Sequence, residues 1–207
     1  MFPRFYSIVD AEALTARGAS LEAFAQELRA AGVELVQFRD KVGSPQEVLL
    51  AAATLREAMA GSECQLILND RPDLALLANF DGVHVGQGDL SPEDAGRILG
   101  SNRIVGVSTH TDAQVQAANL TSADYIAIGP VFSTSTKPEA EPVIGLEGVR
   151  RARTLTRKPL VAIGGITRAN ARSVINSGAN SVAVISALLS PTETTAATAR
   201  DFLEILR

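Results

Sequence analysis

The sequence predicts a single (β/α)8 barrel over residues 1–207. Three observations carry that expectation. Eight short apolar runs alternate with longer amphipathic stretches from end to end. Several of those runs are apolar almost without interruption, as parallel strands covered on both faces are. Polar side chains gather after the runs rather than before them, at what would be the C-terminal mouth of a barrel. An open doubly wound sheet is the alternative, but the Gly-x-Gly-x-x-Gly turn it would carry after the first strand is absent.

The elements follow in order. FYSIV (5–9) is the first strand. Leu21, Phe24, Ala25 and Leu28 then share one helical face, with Ser20 as N-cap and Gly32 as terminator. VELVQF (33–38) is the second strand, and Ser44-Pro45 opens a helix whose buried face is Val48, Ala52, Leu55 and Met59. QLIL (65–68) and GVHV (82–85) are the third and fourth strands, and Ser91-Pro92 starts the helix after them. RIVGV (103–107), DYIAI (124–128) and PLVAI (159–163) continue the alternation, and Gly178 hands a helix over to SVAVI (181–185). Ser190-Pro191 is expected to open a last helix carrying Ala199, Phe202, Leu203 and Leu206. A small or polar turn precedes each even-numbered strand, in AGVELVQF, FDGVHVGQ, SADYIAIGP and GANSVAVIS, a faint internal repeat. The stretch 129–145, GPVFSTSTKPEAEPVIG, is too polar and Pro-rich for a helix, and loops of that length are commonly functional.

Composition narrows the function. At 46% hydrophobic with a net charge of −4, the chain is neither disordered nor a basic nucleic-acid binder. No apolar run reaches membrane-spanning length, so no membrane partner is expected. The N-terminus, MFPRFYSIVD, lacks the uninterrupted apolar region of a signal peptide, so the expected location is the cytoplasm. The lone Cys64 excludes an intramolecular disulfide; it precedes a strand and reads as a buried structural thiol. The partners expected are small molecules, with self-association left open.

The residues after each strand define the candidate site. Gln37, Arg39 and Lys41 stand two apart on an extended segment, so they project to one side. Two cations beside an amide suit a polyanion such as pyrophosphate, and a surface ion pair with Asp40 or Glu34 is the plainer alternative. Asp70 and Asp89 end neighbouring strands; two carboxylates with open positions suit Mg2+, against an Asp70–Arg71 pair and a helix-start turn at Asp89. Gly164-Gly165 after strand seven and Ser186 after strand eight suit a monophosphate, against a bare packing turn. Asn69, Ser108 and the run Thr134, Ser135, Thr136, Lys137 complete the polar end. His84, inside GVHV, reads as a barrel-lining histidine; His110, at a strand end, could serve as acid or base.

Taken together, these segments resemble the thiamine-phosphate synthase family. VQFRDK (36–41) is similar to the family's VQLREK, with Phe38 for Leu and Asp40 for Glu. LILNDRPDLAL (66–76) resembles its INDR segment, and DGVHVGQGDL (81–90), GVSTHT (106–111), DYIAIGPVFSTSTK (124–137), AIGGI (162–166) and VAVISAL (182–188) follow in order. Gly88 departs from the acidic or polar residue frequent there. The resemblance implies a (β/α)8 fold and an Mg2+-dependent transferase of thiamine biosynthesis. It would join a hydroxymethylpyrimidine diphosphate to a thiazole phosphate with release of pyrophosphate, through departure of diphosphate and capture of a pyrimidine cation. Carried over by position, Gln37, Phe38, Arg39, Asp40, Lys41, Asn69, Ser108 and Lys137 hold the pyrimidine diphosphate. Arg39, Lys41, Ser108 and Lys137 among them carry the catalytic load, and Asp70 and Asp89 bind Mg2+. Thr134, Ser135, Thr136, Gly165, Ile185 and Ser186 hold the thiazole phosphate. Two rivals share the barrel: a metal-free thiazole tautomerase, and a non-catalytic barrel that binds thiamine precursors.

Overall fold

The computed structural model describes residues 2–134 and 141–207. Its strands are β1 (Phe5–Asp10), β2 (Leu35–Arg39), β3 (Gln65–Asn69), β4 (Gly82–Val85), β5 (Ile104–Thr109), β6 (Tyr125–Ile128), β7 (Leu160–Ile163) and β8 (Ser181–Val184). The helices are α1 (Ala11–Ala16), α2 (Leu21–Ala31), α3 (Pro45–Ala58), α4 (Pro72–Leu77), α5 (Pro92–Leu99), α6 (Asp112–Asn119), α7 (Gly145–Leu155), α8 (Ala171–Asn176) and α9 (Thr195–Ile205). A single 3-10 turn, Ser186–Leu188, follows β8. All strands are parallel, each pairs with its successor, and β8 closes back onto β1. The barrel expected from the sequence is therefore the fold.

The two-residue period of the strands divides each one between two cores. Phe5, Val9, Val36, Phe38, Leu68 and Val182 face outward and pack beneath the helices. Tyr6, Ile8, Leu35, Ile67, Tyr125, Ala127, Val161 and Ala183 face inward and fill the barrel. Phe2 lays its ring 5.1 Å from that of Tyr125 and covers the N-terminal end.

Local signals set most helix boundaries. Ser20 accepts from Ala23 N–H, Ser91 from Asp94 N–H, and Ser44 forms a capping box with Glu47. Gly32 closes α2 in the left-handed region. Ser190-Pro191 behaves otherwise than expected. Its hydroxyl accepts from the N–H groups of Thr192 and Glu193 in a turn, and α9 starts later, capped by Thr194. The hydroxyl is committed to that turn. Helix α1 gave no periodic signal because it is six residues long and buries only Leu14. The described residues of 129–145 ahead of α7 form neither helix nor strand. Among the described residues, no helix is long and apolar enough to cross a membrane.

Cys64 is half-buried rather than fully enclosed. Burial first, then the charges of Asp81 and Glu34, push its thiol up to about 12. Only the thiolate reacts. Alkylation of the native protein at pH 8 should therefore run more than about 10²-fold slower than in urea. Equal rates in the two conditions would contradict the geometry at Cys64.

Candidate active site

Strand β2 aims Gln37 and Arg39 inward at successive heights. The Arg39 guanidinium reaches across to Asp10 at the end of β1, whose side chain is only 3% exposed. Asp10 also caps α1 through Ala13 N–H at 2.9 Å, so it holds Arg39 from a fixed base. Lys41 lies beyond the strand and pairs with Asp70. The ion pair with Asp40 or Glu34 foreseen as the plainer reading is not the one formed. Both cations sit at the mouth, each against a carboxylate of another strand end.

Asp70 adopts φ +64°, and its N–H donates to the His84 carbonyl at 2.7 Å, which fixes the turn after β3 against β4. Its carboxyl lies against that of Asp89, which accepts from Gly86 N–H at 2.7 Å. Burial first, and then the contact with Asp89, raise the Asp70 pKa above the ordinary carboxylate range against the opposing pull of Lys41. Among the described residues there is no cluster of three or more His, Cys, Asp or Glu side chains around a point. Two mutually repelling carboxylates still fit Mg2+, which keeps waters and takes oxygens from substrate phosphates beside one or two protein ligands. Asn69, one residue earlier, buries its Nδ2 with no partner among the described residues. An unmet buried donor costs roughly 1–3 kcal/mol, which a ligand oxygen would recover.

Of two further residues assigned to the pyrimidine diphosphate, Phe38 points elsewhere and Asp40 shapes the loop beside the mouth. Phe38 alternates with Gln37 and Arg39, so its ring turns outward into the helix layer and is 1% exposed. Asp40 spends one carboxylate oxygen on the N–H groups of Val42 and Gly43, shaping the loop after β2. The Phe38 ring does not face the mouth. Ser108 stands on β5 with its hydroxyl 2.8 Å from His84 Nε2, and its carbonyl accepts from Gln87 at 2.6 Å.

Over β6–β8 the mouth opens into a cavity of about 490 Å³, lined by Thr134, Gly164, Gly165, Ile185 and Ser186 among others. Gly164 and Gly165 have φ of +101° and +62°. A Cβ on Gly165 would overlap the Ser133 carbonyl, and one on Gly164 would overlap Pro130. Only glycine permits this turn, which brings bare backbone to the cavity wall. His110 also lines the cavity; its Nδ1 lies 2.7 Å from the Gly129 carbonyl, which can only accept, so Nδ1 carries the proton. Ser135, Thr136 and Lys137 lie outside the described residues.

Four residues at or beneath the mouth escaped the sequence reading. Asp10 closes β1, one residue beyond the apolar run FYSIV that marks the strand in the sequence. Arg17, in the loop after α1, lines the same cavity as Gly165 and Ser186. Tyr6 and Tyr125 sit inside apolar runs; their signal was that a buried phenol has to find a hydrogen-bond partner.

The chain is similar to known proteins along nearly its whole length. A family model described as thiamine monophosphate synthase matches residues 5–188. A thiamine-phosphate synthase of Koribacter versatilis is 52% identical over 99% of this chain and 96% of its own length. One from Chloroflexus aurantiacus is 41% identical over 94% of this chain and 88% of its own. A solved thiamine phosphate pyrophosphorylase from Pyrococcus furiosus superposes with a TM-score of 0.84 at 31% identity, covering 98% of this chain and 95% of that one. Matched along nearly its whole length, the chain belongs to the thiamine monophosphate synthase family.

Proposed function

We infer that the protein is a thiamine-phosphate synthase, a transferase that joins a hydroxymethylpyrimidine diphosphate to a thiazole phosphate and releases pyrophosphate. The observation that carries the reading is the division of the mouth. Cations and a carboxylate pair lie over β2–β4, and a glycine-walled cavity lies over β6–β8. Two anionic substrates laid side by side need such a division.

In the reaction, the bond from the pyrimidine methylene carbon to the diphosphate oxygen breaks, and its electrons leave with the diphosphate. The thiazole nitrogen then gives its lone pair to the methylene carbon. No covalent nucleophile is required. The residues instead stabilise the charge that develops on the leaving group and hold the two reactants in line. Arg39 and Lys41 exchange Asp10 and Asp70 for diphosphate oxygens, and Asn69 and Ser108 add neutral donors. Asp70 and Asp89 would hold Mg2+, and the bound ion would supply positive charge against the charge developing on the departing diphosphate. Thr134, Gly165, Ile185 and Ser186 hold the thiazole phosphate, with Ser135 and Thr136 joining them. Lys137 is assigned to the diphosphate.

A tautomerase on the same barrel would depend on His110 as acid or base. The synthase does not, so His110→Gln should keep turnover within about tenfold of wild type, whereas loss of a general acid–base costs roughly 10²–10⁴-fold. A loss of that size, together with isomerisation of the thiazole substrate when no pyrimidine is present, would replace this reading with the rival.

A further inference from the structure

A line of hydrogen bonds crosses the barrel interior and ends at Ser108 below the mouth. Gln37 Nε2 lies 2.8 Å from Tyr6 Oη, Tyr6 Oη lies 2.9 Å from Tyr125 Oη, and Tyr125 Oη lies 2.9 Å from His84 Nδ1. His84 Nε2 then lies 2.8 Å from Ser108 Oγ. Five strands contribute one residue each, and Gln37, Tyr6, Tyr125 and His84 are all buried. Gly106 makes the line possible, because a Cβ there would overlap the Tyr125 ring.

The direction of the protons follows from one end. An amide nitrogen can only donate. Gln37 donates to Tyr6; among the described residues Tyr125 is then the acceptor left for the buried Tyr6 hydroxyl, and His84 Nδ1 the acceptor left for that of Tyr125. The line therefore runs from Gln37 to Tyr6 to Tyr125 to His84 Nδ1. That nitrogen must accept, so the proton of a neutral imidazole sits on Nε2 and is donated to Ser108. An Nδ1–H on His84 does not fit this geometry, because it would turn the line around and leave the Tyr6 hydroxyl facing the Gln37 amide donor. Burial raises the pKa of both phenols, which keeps both as donors.

We propose that Tyr125 is a positioning residue: by holding His84 in the Nε2–H tautomer it makes Ser108 accept from below, so that the serine O–H is a committed donor toward the pyrimidine diphosphate. The inference rests on the synthase reading only for the identity of that ligand. The consequence is a mouth that offers donors, from Ser108, Asn69, Arg39 and Lys41, to a substrate whose leaving group is rich in acceptors.

The test reads the tautomer directly, without substrate. The chain has two histidines, and the geometry gives them opposite forms, Nε2–H at His84 and Nδ1–H at His110. Two-bond nitrogen–proton correlation spectra of the 15N-histidine-labelled protein should show one of each, with His110→Gln supplying the assignment. Tyr125→Phe keeps the ring in its place and removes the donor, so His84 should lose its pure Nε2–H signature. With both substrates, kcat should fall about tenfold, as expected for one neutral hydrogen bond, with the thiazole phosphate KM unchanged. Tyr6→Phe leaves the Tyr125 donor intact, so it should keep the tautomer and lose less than about threefold. A purely structural role would affect the two tyrosine variants alike, and that result would overturn the proposal. So would an Nδ1–H or doubly protonated His84 in the wild type, which can be read even if Tyr125→Phe does not fold. The predicted tautomers in a protein that forms no thiamine phosphate would leave the line of protons standing and defeat the synthase reading instead.

Discussion

Asp70→Asn is expected to lower turnover by about 10²–10³-fold and to raise the Mg2+ concentration needed, while leaving the melting temperature unchanged or slightly higher. The loss follows from the several kcal/mol that a metal ion contributes as an electrophile, at about 1.4 kcal/mol per tenfold. Three observations predict the stability. Asn enters the left-handed region as readily as Asp, so φ +64° is kept. The pair with Lys41 is solvent-accessible, and such pairs contribute roughly 0–1 kcal/mol. Burial and Asp89 hold the Asp70 pKa above its unfolded value, so the ionised carboxylate opposes folding at neutral pH, and removing it removes that cost. A charge placed against stability at a site is commonly there for function. Kinetics across a Mg2+ titration, with thermal melts of the metal-free protein, check both halves. Unchanged turnover and Mg2+ dependence would remove Asp70 from the metal site.

Lys41→Ala is expected to lower kcat by roughly 30- to 10³-fold, corresponding to about 2–4 kcal/mol for one charge-assisted contact to a developing anion. The diphosphate gains charge as its bond to carbon breaks, so a cation beside it is worth more in the transition state than in the ground state. The Lys41 side chain is 45% exposed, so its removal should hardly alter the melting temperature. Steady-state kinetics with the pyrimidine diphosphate varied and the thiazole phosphate saturating separate kcat from KM. If only KM rises, Lys41 is a docking charge and the leaving group is stabilised by other residues.

The barrel was legible because its period is written into every strand. Runs such as LVQFR and GVHV need both faces covered, and the serine caps and glycine terminators fall where one strand must hand over to the next helix. The same period excludes Phe38 from the mouth, since a residue between Gln37 and Arg39 on a strand must face the opposite way. The family's motif is contiguous, so it includes Phe38 along with Gln37 and Arg39, which the strand turns toward the mouth. Asp10 and Arg17 were hidden for another reason. Asp10 meets Arg39 through the pairing of β1 with β2, and Arg17 reaches the cavity over β6–β8 because β8 closes onto β1, so both partnerships join segments distant in sequence. Tyr6 and Tyr125 read as apolar bulk because a strand pattern records where a ring goes but not which group its hydroxyl will meet.

The central claim is that the two halves of the mouth hold two different phosphorylated substrates for one joining reaction. The direct measurement is incubation of the protein with hydroxymethylpyrimidine diphosphate and thiazole phosphate, together and singly, with and without Mg2+, following thiamine phosphate and pyrophosphate. The account predicts that both products appear in equal amounts, only when both substrates and Mg2+ are present. Conversion of the thiazole phosphate alone, or binding of both substrates with no pyrophosphate released, would contradict it.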